Sequence, residues 1–188
     1  MKDMRPTLML FIAFTLLLGG AYPLVVTGIA QLAFPSQANG SFIADAGGVG
    51  VGSRLIGQPF TEAKYFWPRP SATADFPYNP LASGGSNAGP TNPDYLKAVA
   101  QRVRAFRESG VTRPLPAELV QASASGLDPD ISPQGAAIQA ERVARARGMN
   151  AADLERLIAG HTRGRLLGFV GEPRVNVLEL NLALDAMK

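Results

Sequence analysis

The chain has no cysteine, one histidine and one tryptophan in its 188 residues. Without cysteine there is no disulfide and no thiolate metal site, a composition that suits an oxidising compartment without proving one. His161 alone leaves too few soft ligands for a zinc site. It could serve a Ser-His-Asp arrangement with Ser83, Ser86 or Ser132, but no Gly-x-Ser-x-Gly elbow accompanies them. His161 falls near a helix C-terminus, where a structural role is expected. Asp128 and Asp130 flank Pro129 without the spacing of an EF-hand, so a calcium loop is not expected. Charge is scarce too: charged residues make up 18% of the chain, against roughly a quarter in ordinary soluble proteins. The shortage has one location, because no charged residue lies between Arg5 and Asp45. The net charge of +3 is small and its basic residues are dispersed, which argues against a nucleic-acid binder.

What fills the uncharged stretch is apolar. Leu8, Leu10, Phe11, Ile12, Phe14 and Leu16 to Leu18 lead into Leu24, Val25, Val26 and Ile29. About 20 helical residues cross a hydrocarbon core, so the sequence predicts a transmembrane helix over residues 7–33. Gly19, Gly20 and Pro23 offset part of the insertion energy. Lys2 and Arg5 precede the run, and the next basic residue is Arg54. The positive-inside bias then places residues 1–6 in the cytoplasm and residues 34–188 outside. A cleaved signal peptide is the competing reading, with Leu8 to Leu18 as its core and Gly28-Ile29-Ala30 as its cleavage site. The apolar run continues past that core, which favours an anchor. Thr15 and Gly19 share one helix face and are small enough to admit a neighbouring helix.

After the anchor the expectation is a small α+β domain, mostly helical in its second half. Val49, Val51, Leu55 and Ile56 suggest a strand interrupted by Gly50 and Gly52, with a turn at Gly57-Gln58-Pro59. Phe60, Tyr65, Phe66 and Trp67 read as core. Pro68 to Pro93 carries six prolines and three glycines with no helix or strand period. Phe76, Tyr78 and Leu81 could pin this stretch as a folded loop. Asn92-Pro93 caps a helix whose inner face is Leu96, Val99, Val103 and Phe106, ending at Gly110. Lys97, Arg102, Arg104 and Arg107 read as its solvated face. Further helices are expected over Pro116 to Ala124, from Ser132-Pro133 to Gly148, and from Asn150, with Asp153 in a capping-box position, to Gly164. Leu166 to Val170 reads as a strand. Asn176 with Glu179 opens a last helix bearing Val177, Leu180 and Leu184, although the same residues also fit a strand. Leu81 to Ser86 is Gly-rich but lacks the lysine and spacing of a phosphate-binding loop.

Longer stretches carry a resemblance. They are Tyr-Pro-Leu-Val-Val-Thr-Gly-Ile-Ala-Gln from Tyr22, Gly-Ser-Arg-Leu-Ile-Gly-Gln-Pro-Phe from Gly52, and Tyr-Phe-Trp-Pro-Arg-Pro-Ser-Ala from Tyr65. Tyr-Asn-Pro-Leu-Ala-Ser-Gly-Gly-Ser-Asn-Ala-Gly-Pro-Thr-Asn-Pro from Tyr78, Ser-Gly-Leu-Asp-Pro-Asp-Ile-Ser-Pro from Ser125 and Gly-Glu-Pro-Arg-Val-Asn-Val-Leu from Gly171 follow, with the shorter Gln-Ala-Asn-Gly-Ser from Gln37 and Arg-Val-Ala-Arg-Ala-Arg-Gly from Arg142. Over essentially its whole length the chain resembles the C subunits of bacterial Kdp potassium-transporting P-type ATPases. It departs at Trp67, where that family often has His.

The resemblance implies an uncleaved anchor in the bacterial inner membrane. It also implies partners: a channel-like A subunit, a P-type ATPase B subunit and a small F peptide. ATP, magnesium and potassium are then used by the complex, and no cofactor is bound by this chain. Two roles are implied for such a subunit. In one, the outer domain sits over the channel entrance and is needed for assembly and activity. In the other, the subunit raises the ATP affinity of the ATPase, with Ser83, Gly84, Gly85 and Ser86 likened to a nucleotide-binding signature. The outward topology favours the first. Docking candidates are Tyr78, Asn79, Leu81 and Asn87 in the loop and Thr15 and Gly19 in the helix.

Overall fold

The computed structural model describes residues 3–44 and 47–187. Lys2, Asp45 and Lys188, which bear on the reading of charge and topology, lie outside the described residues.

The apolar run forms one helical rod of 30 residues, Met4–Ala33, whose most apolar 18-residue window has a mean hydropathy of 2.1. At 1.5 Å per residue it is about 45 Å long, more than a hydrocarbon core requires. Among the described residues no other helix is both long and apolar enough to cross a membrane. The rod comprises α1 (Met4–Leu16) and α2 (Tyr22–Ala33), joined by a π-helical turn over Leu17–Ala21. Proline causes such a break. Pro23 has no N–H to give the Gly19 carbonyl, and its ring crowds that carbonyl in a regular α-helix. The chain widens instead, and Tyr22 N–H reaches back five residues to the Leu17 carbonyl.

The rod ends in the short helix α3 (Pro35–Ala38), where the Asn39 and Gln31 side chains hydrogen-bond each other. Gly40 and Ser41, both at positive φ, then turn the chain into β1 (Phe42–Ala44). That strand pairs antiparallel with β2 (Gly50–Ser53). The sequence reading missed β1 and made the second strand too long: Leu55 and Ile56 lie in the turn beyond it. The hairpin is stitched to the helix end, because Ser53 Oγ donates to the Gly40 carbonyl and Arg54 N–H donates to the Ser41 carbonyl.

The main core lies among helices and a three-stranded sheet of order β3-β5-β4, antiparallel throughout. Its strands are short: β3 (Asp130–Ile131), β4 (Thr162–Arg163) and β5 (Arg174–Asn176). Around them pack α4 (Pro93–Glu108), α5 (Pro133–Ala137), α6 (Ala140–Arg147), α7 (Ala151–His161) and α8 (Val177–Ala186). Phe66, Val143, Leu154, Val175, Leu180 and Leu184 are fully buried. Each such side chain contributes about 1.5–3 kcal/mol of transfer free energy. Caps fall where expected: the Asn92, Ser132, Asn150 and Asn176 side chains accept from backbone N–H groups of the first turns of α4, α5, α7 and α8. At Asn176 this resolves the ambiguity of the last element in favour of a helix.

Several expectations need correction. Pro116 to Ala124 holds only a 3-10 turn at Ala117–Leu119, because Ser123 to Gly126 is drawn off to bond the preceding loop. The helix from Ser132 breaks at Ile138–Gln139, where the Gln139 amide turns inward. Leu166 to Val170 is a tight turn closed by one bridge, with Leu167 and Gly168 at positive φ, and not a strand. Asp153 pairs with Arg156 and leaves the capping of α7 to Asn150 alone. Leu96 is exposed, so the buried face of α4 is carried by Val99, Val103 and Phe106. Arg102 and Arg107 do more than solvate: they donate to the carbonyls of Val120, Val111 and Arg113 and tie α4 to the chain that follows it.

Candidate functional site

The aromatic segment before the loop is irregular backbone without a strand neighbour, and side chains supply its partners. Phe66 N–H donates to Asn181 Oδ1 at 2.9 Å, and Asn181 Nδ2 donates back to the Phe66 carbonyl at 3.0 Å. One residue on, Trp67 N–H donates to Gln139 Oε1 at 2.8 Å, while Gln139 Nε2 donates to the Trp67 and Gly135 carbonyls. Arg142 donates to the carbonyls of Ala63 and Tyr65 and to Gln139 Oε1, and its guanidinium lies 4.0 Å from the Trp67 ring centroid. Burial lowers the Arg142 pKa to about 10, which leaves it charged at neutral pH. Two amides and a guanidinium thus imitate a sheet edge.

From this rigid strip the loop of residues 68–92 departs, and a second set of bonds fixes its course. The buried Tyr78 sits at φ 59°, uncommon for a bulky residue. Its N–H donates to Ser71 Oγ, whose own hydroxyl donates to the Gly126 carbonyl. Its phenol donates to the Arg69 carbonyl, and burial pushes the phenol pKa up, so it stays a donor. Arg69 in turn pairs with Asp128 at 2.7 Å. Gly57 is required here, because a Cβ would run into the Tyr78 ring and the Asp128 carbonyl. The Asn79 side chain donates to the Ala74 carbonyl and accepts from Leu81 N–H, capping a 3-10 turn at Pro80–Ala82. This turn holds Leu81 in solvent at 94% exposure. Phe76 is exposed as well. Of the three expected anchors only Tyr78 is one, because the turn that Asn79 caps faces outward.

The Gly-rich stretch has a structural occupation. Ser83 Oγ and Gly84 N–H both donate to the Ser125 carbonyl, at 3.0 and 2.9 Å. Gly85 lies against the Ala124 backbone, where a side chain would crowd the Ala124 carbonyl. Two of the donors that a phosphate would need are therefore engaged. Ser86 Oγ faces Ala88 N–H, and Asn87 is exposed at φ 49°. Between the aromatic strip, the loop and α4 runs an apolar groove of about 350 Å3, lined by Phe60, Trp67, Pro70, Tyr78 and Phe106 with Arg102 at its side.

The remaining candidates are dispersed. His161 Nδ1 lies 3.0 Å from the Leu157 carbonyl at the end of α7. Ser132 Oγ caps α5 and Ser83 bonds Ser125, so the structure does not assemble a Ser-His pair among the described residues. Asp128 faces Arg69, and Asp130 faces Arg174 and Asn176. No cluster of potential metal ligands occurs among the described residues. In the rod, Thr15 and Gly19 are exposed, and Gly19 lies in the π turn. The reciprocal amide pairs were missed from sequence. Their one signal was polar residues, Gln139 and Asn181, at buried positions of helices.

A small α+β domain carried on a single helix long and apolar enough to cross a membrane, with apolar side chains held in solvent at its loop tips, marks a candidate membrane-anchored protein. The family model described as K+-transporting ATPase, c chain (KdpC) matches residues 4–186. A potassium-transporting ATPase KdpC subunit from Geobacter sulfurreducens is 64% identical over 187 residues, covering 100% of this chain and 99% of that protein. The KdpC subunit of Geobacter metallireducens is 62% identical with the same coverage. That of Methylococcus capsulatus is 55% identical over 98% of this chain and 97% of its own length. The chain belongs to the KdpC family, the C subunits of potassium-transporting ATPases.

Proposed function

We propose that this chain is a non-catalytic, single-pass subunit of the bacterial inner membrane, required for assembly and activity of an ATP-driven potassium uptake complex. Residues 1–6 lie in the cytoplasm, residues 7–33 span the membrane, and the domain of residues 34–188 lies outside, over the outer entrance of a channel-like A subunit. A P-type ATPase B subunit and a small F peptide complete the complex, which uses ATP, magnesium and potassium while this chain binds none of them. Family membership supports the complex. The single apolar rod, preceded by Arg5 and followed by no basic residue until Arg54, supports the topology.

The observation that carries the docking role is Leu81, exposed on a capped turn at the tip of an otherwise well-bonded loop. A fold has no internal reason to spend three hydrogen-bonded residues holding a leucine in water; a partner surface supplies one. The alternative, that the subunit raises the ATP affinity of the ATPase through Ser83 to Ser86, is disfavoured by the commitment of Ser83 Oγ and Gly84 N–H to Ser125.

The test is Leu81→Asp in the intact complex. The isolated subunit should unfold as the parent does, while co-purification of the other subunits and uptake at low external potassium fall. Undiminished assembly and uptake would remove the loop from the interface. Nucleotide labelling of this chain from the cytoplasmic face would instead favour the alternative.

A further inference from the structure

The turn that follows β4 has no role in the reading above, and it breaks two rules at once. Leu166, Leu167, Phe169 and Val170 are all exposed, with Leu167 at 79% and Phe169 at 73%. Leu167 also sits at φ 53°, ahead of Gly168 at φ 83°. A leucine seldom adopts that conformation, and nothing inside the domain rewards it, since the side chain points to solvent. The tip is a tight turn closed by the Leu166–Val170 bridge that presents four apolar side chains to solvent.

Its position says what it meets. Glu179 holds two guanidiniums, Arg54 at 3.2 Å and Arg163 at 2.6 Å. Arg54 belongs to the turn after β2, stitched through Ser41 and Gly40 to the end of the apolar rod. Arg163 is in β4, at the base of the tip. One carboxylate therefore joins the rod's exit to the root of the tip, so the knob grows from the end of the domain nearest the membrane. Phe42 and Leu55, on the hairpin at this end, are exposed as well. The charges agree. Arg165 pairs with Glu172 and Arg174 with Asp130, so four guanidiniums face three carboxylates and one positive charge is left in excess. An exposed apolar turn flanked by arginines that outnumber their carboxylate partners suits the boundary between acyl chains and anionic headgroups.

We propose that residues 166–170 dip into the bilayer interface beside the anchor, as a second attachment that fixes the tilt of the domain on the membrane. The inference needs the Met4–Ala33 helix to lie in the bilayer and is independent of which side the domain occupies. Because the chain has no cysteine, single spin labels can be placed at will. F169C, L18C and R104C, the last on the exposed face of α4, would be labelled in the assembled complex in nanodiscs containing anionic lipid. Collision rates with oxygen, which partitions into lipid, and with an aqueous nickel chelate would then be compared. The expected oxygen-to-nickel ratio for F169C is several-fold above that for R104C and approaches that for L18C. A label at 169 as nickel-accessible as one at 104 overturns the proposal, and so does one shielded from both reagents, which would mean a protein partner. A nickel-accessible label at 18 would overturn the membrane span itself, a failure distinct from either.

Discussion

The inner side of the aromatic strip and the outer tips of the loops invert the usual rule in opposite directions. Beneath Phe66 and Trp67 the domain buries polar side chains, Asn181 at 1% exposure and Gln139 at 0%. At the tips of the two loops it exposes Leu81, Leu167 and Phe169. The inside inversion is fully compensated, because each amide oxygen and nitrogen finds the backbone of a segment that has no strand beside it. The outside inversion has no compensation among the described residues. Buried polarity here serves folding, while the exposed apolarity is what the proposed docking loop and membrane tip would use.

The largest effect should come from breaking the inside. Asn181→Ala leaves the Phe66 N–H and carbonyl buried without partners. The expected loss is on the order of 3 kcal/mol, read as a fall of about 10 °C in the melting temperature of the full chain in detergent. Arg142→Lys should behave similarly, since an ammonium cannot reach the Ala63 and Tyr65 carbonyls and Gln139 together. A loss within about 0.5 kcal/mol, the range of ordinary surface changes, would mean that the strip is held by apolar packing alone.

A smaller effect belongs to Asp130, which links β3 to the capping residue of α8. Desolvation raises its pKa above 3.8, while the Asn176 hydrogen bond opposes the shift. A raised carboxyl favours the protonated native form, so its contribution to stability is full below pH 3.8 and is lost as pH climbs through the raised value. Asp130→Asn should abolish that slope. As pH rises through the acid range the parent's melting temperature should therefore fall relative to the variant's; a parent that gains on the variant would mean the carboxyl is held down instead.

Much of the scaffold was legible because it depends on local chemistry. The apolar run, Asn92-Pro93 and Ser132-Pro133 announce the starts of their elements by spacing alone, while the Asn176 cap left helix and strand both open. The failures share a non-local cause. Ser123 to Gly126 left its expected helix to bond a loop some fifty residues earlier, and Gln139 broke a helix to serve Trp67. Glu179 read as a cap partner, yet it also joins Arg54 to Arg163 across most of the domain. In the candidate site, Tyr78 and Asn79 were found, but as supports. Their alternation with the exposed Phe76 and Leu81 follows from turn geometry that no periodicity reports.

The smallest effect is the sharpest test of the outside. Leu167 combines a left-handed backbone with an apolar side chain in water. Leu167→Asn keeps the turn, since asparagine tolerates positive φ and hydrogen-bonds locally. It also withdraws an apolar side chain from solvent. The first change favours the folded state and the second is nearly neutral, because the side chain is exposed in the unfolded chain too, so the isolated chain should be unchanged or more stable by up to about 0.5 kcal/mol, with a melting temperature equal to or slightly above the parent's. A substitution that improves the domain by itself while weakening its hold on the membrane would show that the leucine is kept at the expense of stability. A clear loss of stability would place Leu167 in packing contact with the domain and return the tip to the inside of the comparison.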